Sequence, residues 1–209
     1  MNEEQAVLDF FSKPENLPLG LSVATLMDGI RQRINSDFWN ALKKRLDERL
    51  KSCAPHWQIQ PTEDRNAADV LVGLQCKQAD EQGISLFPMI EQQFLGGNWR
   101  IYTGLMWQSA PNTEQAALPV VQELKQSLQK AGFGSNESFL AWQWTRFYPR
   151  RSDFLLACST QPETLLDEIE ALLSPLLIEH RELIESANTA LRNMPRSMPV
   201  SLDQLRSKR

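Results

Sequence analysis

The chain has 209 residues, of which 42% are hydrophobic and 23% charged, with a formal net charge of −4. Six Trp and nine Phe exclude a solvated coil, the lack of any run of roughly 20 apolar residues excludes a simple membrane span, and the acidic balance gives no reason for bulk nucleic-acid binding. Three widely spaced cysteines (Cys53, Cys76, Cys158) and an acidic start, MNEEQAVLDFF, point to reduced thiols and a cytoplasmic location.

The first twenty residues, with Pro14, Pro18 and Gly20, read as a short helical piece followed by a loop. Val23, Leu26, Met27, Ile30 and Ile34 follow helical spacing behind a cap at Ser22. A second cap at Ser36-Asp37 precedes Phe38, Trp39, Leu42, Leu46 and Leu50, which predicts two helices or one bent helix ending before Pro55. Residues 57–108 then read as an antiparallel meander of three or four strands, with the Gly96-Gly97-Asn98 break marking a hairpin.

Residues 114–131 return to helical spacing through Leu118, Val121, Leu124 and Leu128, and Gly132 sits where a helix C-terminus favours a left-handed residue. Two strands are predicted next, Phe139–Tyr148 and Phe154–Cys158, across a polar turn at residues 149–153. The longest helical pattern, 162–192, is capped at Thr160 and should kink or break at Pro175. The predicted fold class is therefore α+β, an antiparallel sheet of about five strands covered by helices, with a long kinked C-terminal helix. Residues 1–192 form a single domain and 193–209 a flexible tail. One core should hold Trp39, Leu42, Leu46, Leu105 and Leu172.

Few residues suggest catalysis. His56 and His180 read as surface histidines, and no His/Cys spacing completes a metal set. Nothing resembles a phosphate-binding loop, a dinucleotide turn or a nucleophile elbow. Gln75-Cys76-Lys77 at the end of a hydrophobic strand invites one enzymatic reading, because a Gln-x-Lys pair with a carboxylate can hold Mg²⁺ and orient water. Asp69 is too distant along that strand to share a metal with Gln75, so Glu63 or Asp64 would have to fold back. The catalytic set on this alternative is Asp64, Gln75 and Lys77.

A binding surface is expected instead at Trp142, Trp144, Tyr148, Arg150 and Arg151, where aromatic and arginine side chains can grip a protein or a single-stranded nucleic acid. The terminal helix adds a second candidate surface. Residues 165, 169, 172 and 176 form one apolar seam and 166, 173 and 177 another, so either the helix is sandwiched or one seam meets a protein partner or a second copy through residues 163–185.

Phe38-Trp39 with the following leucines, a meander, a helix, a strand with Trp142-x-Trp144 and a terminal apolar helix resemble the C-terminal, non-catalytic half of bacterial PD-(D/E)XK-like nuclease proteins. The nuclease residues of those proteins lie in an N-terminal domain, so no catalytic residue carries over. The resemblance implies a cytoplasmic accessory or recognition module connected with defence or mobile elements; no cofactor is expected outside the Mg²⁺ of the nuclease alternative.

Overall fold

The computed structural model describes residues 2–64, 70–78, 84–95 and 97–194. A short helix α1 (Glu3–Phe11) precedes α2 (Leu17–Cys53), a single unbroken helix of 37 residues. Two helices or one bent helix were expected here because Ser36-Asp37 offers a second cap. The structure keeps the helix continuous and lets the stripe change face. Ser22 and Ser36 are therefore interior residues rather than caps, and Ser22 Oγ donates to the Pro18 carbonyl at 2.9 Å.

Five antiparallel strands follow in the spatial order β1-β2-β3-β4-β5: β1 (Trp57–Glu63), β2 (Leu71–Gln78), β3 (Leu86–Leu95), β4 (Asn98–Trp107) and β5 (Phe139–Trp144). The expected hairpin closes with Leu95 opposite Asn98, and Gly97 takes φ +87°, a conformation that costs side-chain-bearing residues. Between β4 and β5 lie α3 (Thr113–Ala116) and α4 (Pro119–Lys130). Gly132 just beyond α4 has φ +93°, as its place in the sequence predicts.

The expected strand at Phe154–Cys158 is instead α5 (Ser152–Thr160). Its short apolar run fits either period, and only Phe154 is buried, against Phe38 at 5.2 Å between ring centroids. Thr160 consequently ends α5 and caps nothing. The long C-terminal helix is divided: α6 (Pro162–Ser174), a π-helical turn (Pro175–Glu179) and α7 (Arg181–Arg192). Pro175 lacks the N–H that would continue the α ladder, and the turn closes by His180 N–H donating to the Pro175 carbonyl at 3.0 Å. His180 is thus structural and half-buried. Its Nδ1 lies 2.8 Å from that carbonyl, to which it donates, and its Nε2 lies 2.8 Å from Ser127 Oγ of α4.

One large core joins α2 from Phe38 onward, the helix-facing side of the sheet, α4, and α6 through α7. A smaller cluster on the opposite sheet face holds Phe87, Met89, Tyr102, Met106 and Phe139. Arg45 of α2 pairs with Glu163, Asp167 and Glu170 of α6, and its hydrogen bond to Glu170 favours the charged guanidinium. Glu185 of α7 accepts from Trp57 Nε1 and faces His56 Nε2, both at 2.9 Å. Asn188, fully buried, acts as a strand partner for β3: its Oδ1 accepts from the Leu86 N–H at 2.7 Å and its Nδ2 donates to the Leu86 carbonyl at 2.9 Å.

Leu165, Leu166, Ile169, Leu173, Leu176 and Leu177 are all buried. Leu173 and Leu177 meet Leu46 and the sheet residues Ile59, Leu74, Cys76 and Ile90. The helix is therefore sandwiched, and the seam expected to carry an interface through residues 163–185 is consumed inside the domain. Leu172 departs from expectation, being only half-buried and absent from the core that holds Trp39, Leu42, Leu46 and Leu105. Of the expected tail, only Asn193 and Met194 fall within the described residues.

Truncation to Ala should separate the two neighbours. Leu173→Ala should cost about 2–5 kcal/mol in urea unfolding and Leu172→Ala less than about 2 kcal/mol. Equal costs would contradict this packing.

Candidate functional site

Asp64, Gln75 and Lys77 do not assemble. Gln75 and Lys77 share one face of β2, with Gln75 buried and Lys77 Nζ 4.6 Å from the Phe87 ring centroid. Asp64 lies past the end of β1, its N–H bonded to the Val70 carbonyl at 2.8 Å. Val70 is five residues from Gln75 along an extended chain, roughly 16 Å. Asp69 lies outside the described residues. The carboxylate nearest Gln75 in register is Glu91, since Gly73 pairs with Glu91 and Gln75 with Met89. The Tyr102 hydroxyl donates to Glu91 at 2.6 Å. Among the described residues, no three His, Cys, Asp or Glu side chains gather as a metal set.

The aromatic and arginine residues do gather, in two groups. Trp142 and Trp144 meet edge to face at 5.8 Å. Arg100 of β4 lies between Trp144 (5.4 Å) and Tyr148 (5.2 Å), and Arg151 covers Tyr148 at 5.4 Å. The Arg100 Nε–H donates to the Thr145 carbonyl at 2.8 Å, which holds the guanidinium in the stack. Arg150 departs from this group and lies over Trp99 at 5.6 Å, beside the exposed ring of Phe94. Arg100 and Trp99 escaped the sequence reading because strand pairing, not sequence proximity, brings them to the turn at 148–151.

Two further features belong to α2. Residues 28, 31, 32 and 35 face a cleft of about 260 Å³ against Asp64, Val70, Val72, Gln92, Trp99, Pro149 and Arg150. Arg31 Nε, Asn35 Oδ1 and Gln92 Oε1 are buried there without hydrogen-bond partners among the described residues. On the other side of the helix, Leu19, Leu26 and Ile30 are 55%, 62% and 45% exposed, and Val23 sits at 36%. No residue of α1 or of α2 before Phe38 is buried, so this pair of helices forms an arm beyond the core. At about 100° per residue, the cleft residues share the face of Trp39, Leu42 and Leu46, while the exposed stripe is on the opposite one.

No helix among the described residues is long and apolar enough to cross a membrane. No family model, curated protein or solved structure matches the chain.

All three cysteines are free, and Cys158 lines a separate cavity of about 250 Å³ with Phe38 and Leu166. Burial pushes its thiol up to about 11. At pH 8, native Cys158 should react with iodoacetamide about 100-fold more slowly than in the urea-unfolded chain, as followed by peptide mass spectrometry. The raised value also means that native Cys158 keeps a proton that the unfolded chain loses, so its contribution to stability declines as pH rises from about 9 to 11. Native reaction at the unfolded rate would contradict this environment.

Proposed function

We propose that the protein is a non-enzymatic recognition module that works as a pair of identical chains joined through the N-terminal arm. The exposed stripe on α2 carries this reading. Leu19, Val23, Leu26 and Ile30 recur at intervals of four, three and four, which are the d, a, d and a positions of a heptad. Leucine at d with β-branched residues at a is the pattern that favours a parallel two-stranded coil.

Charge and area support a second copy as the occupant. Residues 16–27 carry no charged side chain, so like charges do not oppose each other along this seam. The flanking g positions, Ser22 and Gly29, are small, and nothing lies within 4 Å of a side chain added at Gly29. Leu19, Val23, Leu26 and Ile30 are 36–62% exposed and together offer on the order of 350 Å² of apolar surface, a patch of the size that marks an interaction site; Leu17 and Leu21 are exposed too but lie on the opposite face. An isolated helix with two glycines and a proline in its first half gains little from propensity, which favours a packed partner.

Recognition proper is assigned to the surface of Trp142, Trp144, Tyr148 and Arg151, with Arg100 between them and Arg150 turned away to Trp99; its cationic and aromatic faces suit an acidic or aromatic segment of a partner protein. The similarity of element order to non-catalytic halves of PD-(D/E)XK-like nuclease proteins agrees with an accessory role in defence or mobile elements. The free cysteines agree with a reducing, cytoplasmic setting.

Light scattering after size exclusion tests the pairing. The wild type should elute at twice the chain mass at tens of micromolar. A Leu26→Glu, Ile30→Glu double variant should elute at the chain mass with an unchanged thermal midpoint for the core. A monomeric wild type, or a double variant that remains dimeric, would overturn the reading.

A further inference from the structure

We propose that the cleft between α2 and the end of the β3–β4 hairpin binds an amino-bearing purine ring. This inference is independent of the pairing, because the cleft and the seam lie on opposite faces of α2.

The hydrogen-bonding atoms carry the argument. Gln92 is only 8% exposed, lines the cleft, and leaves its Oε1 without a partner. Asn35 Oδ1 and Arg31 Nε in the same lining are also buried and unpartnered. A buried polar atom with no partner is costly, and three at one cleft are a cost that a ligand can remove. Turned either way, each amide offers one acceptor and two donors. Asn and Gln amides pair with the adjacent amine and ring nitrogen of adenine, and the Arg31 Nε–H supplies a further donor for a ring nitrogen or carbonyl.

Charge and size narrow the class. The charged lining residues Asp28, Asp64, Arg31 and Arg150 balance, with Arg31 paired to Asp28 at 3.2 Å, so the cleft does not demand an ion. The volume of about 260 Å³ is below the usual 300–1,000 Å³ of drug-sized sites, which suits one ring system rather than an extended ligand. Trp99, half-buried in the lining, offers an indole face for stacking. Arg150 is exposed, lies over that indole and pairs with no carboxylate among the described residues, so it is placed to take a phosphate outside the cleft. The ring could belong to a free nucleotide or to an unstacked base in a single strand, and both present the same edge.

Calorimetric titration of the full chain with adenosine 5′-monophosphate, uridine 5′-monophosphate and inorganic phosphate tests the proposal. The adenine nucleotide should bind at least about 10-fold more tightly than the other two. Gln92→Met and Asn35→Ala should each weaken it by about 10-fold or more. The melting temperature of Gln92→Met should hold or rise, since that change removes an unpaired buried acceptor. The Leu26→Glu, Ile30→Glu variant should bind as the wild type does, which separates this site from the pairing. Tighter binding of a short oligo(dA) would assign the base to a strand, and equal or weaker binding would assign it to a free nucleotide. No binding of the adenine nucleotide at millimolar concentration, equal binding of the uridine nucleotide, or unchanged affinity in Gln92→Met would overturn the proposal.

Discussion

Side chains leave an α-helix at fixed steps of about 100°, so a straight helix cannot turn two opposite stripes toward one domain. The long helix α2 carries two such stripes. From Phe38 to Leu50 its apolar residues face the sheet and α6, and all five that face inward are buried. From Leu19 to Ile30 the stripe of Leu19, Val23, Leu26 and Ile30 is on the other side and stays exposed. Between residues 28 and 35 the inward face is polar, with Asp28, Arg31, Gln32 and Asn35. Both the arm and the cleft follow from this change of face. A helix with one continuous stripe would have closed the cleft with apolar packing and left nothing for a second chain.

The rest of the domain holds α2 in that position. Arg45 fastens it to α6 through three carboxylates, and Arg181 of α7 donates to the Cys53 carbonyl at its end. The π-helical turn at Pro175 lets α6 and α7 pack as separate rods, so both seams of the leucine-rich segment find partners within the domain. Asn188 then docks α7 on the first residue of β3. With the helices on one face of the meander fixed this way, the β3–β4 hairpin end stays near the earlier half of α2, and Trp99 and Gln92 look into the gap.

What could be read from the residues depended on range. The hairpin at Gly97 and the end of α4 at Gly132 were legible because backbone conformation there is a local matter. The segment Phe154–Cys158 was misread because five apolar residues have no period long enough to separate a strand from a helix, and the helix buries only one of them. Trp142, Trp144, Tyr148 and Arg151 could be grouped from sequence alone, being within ten residues of each other. Arg100, which joins them, comes from another strand, and Arg150 turns away to Trp99. The cleft was not legible at all, since its lining comes from α2, three strands and two loops, and an unpartnered amide has no sequence signature. Val23, Leu26 and Ile30 were visible as a helical stripe, but Leu19 was read as loop, and nothing in the spacing said that the seam would face away from the core.

The central claim is that α2 serves two bodies, its own domain along 38–50 and a second chain along 19–30. Hydrogen exchange measured at two protein concentrations tests this most directly. The account predicts that amides of residues 19–30 exchange more slowly as concentration rises from below to above the dimer range, while those of 38–50 stay protected at both. Exchange in 19–30 that is fast and independent of concentration would contradict it, and so would protection at high dilution equal to that of 38–50.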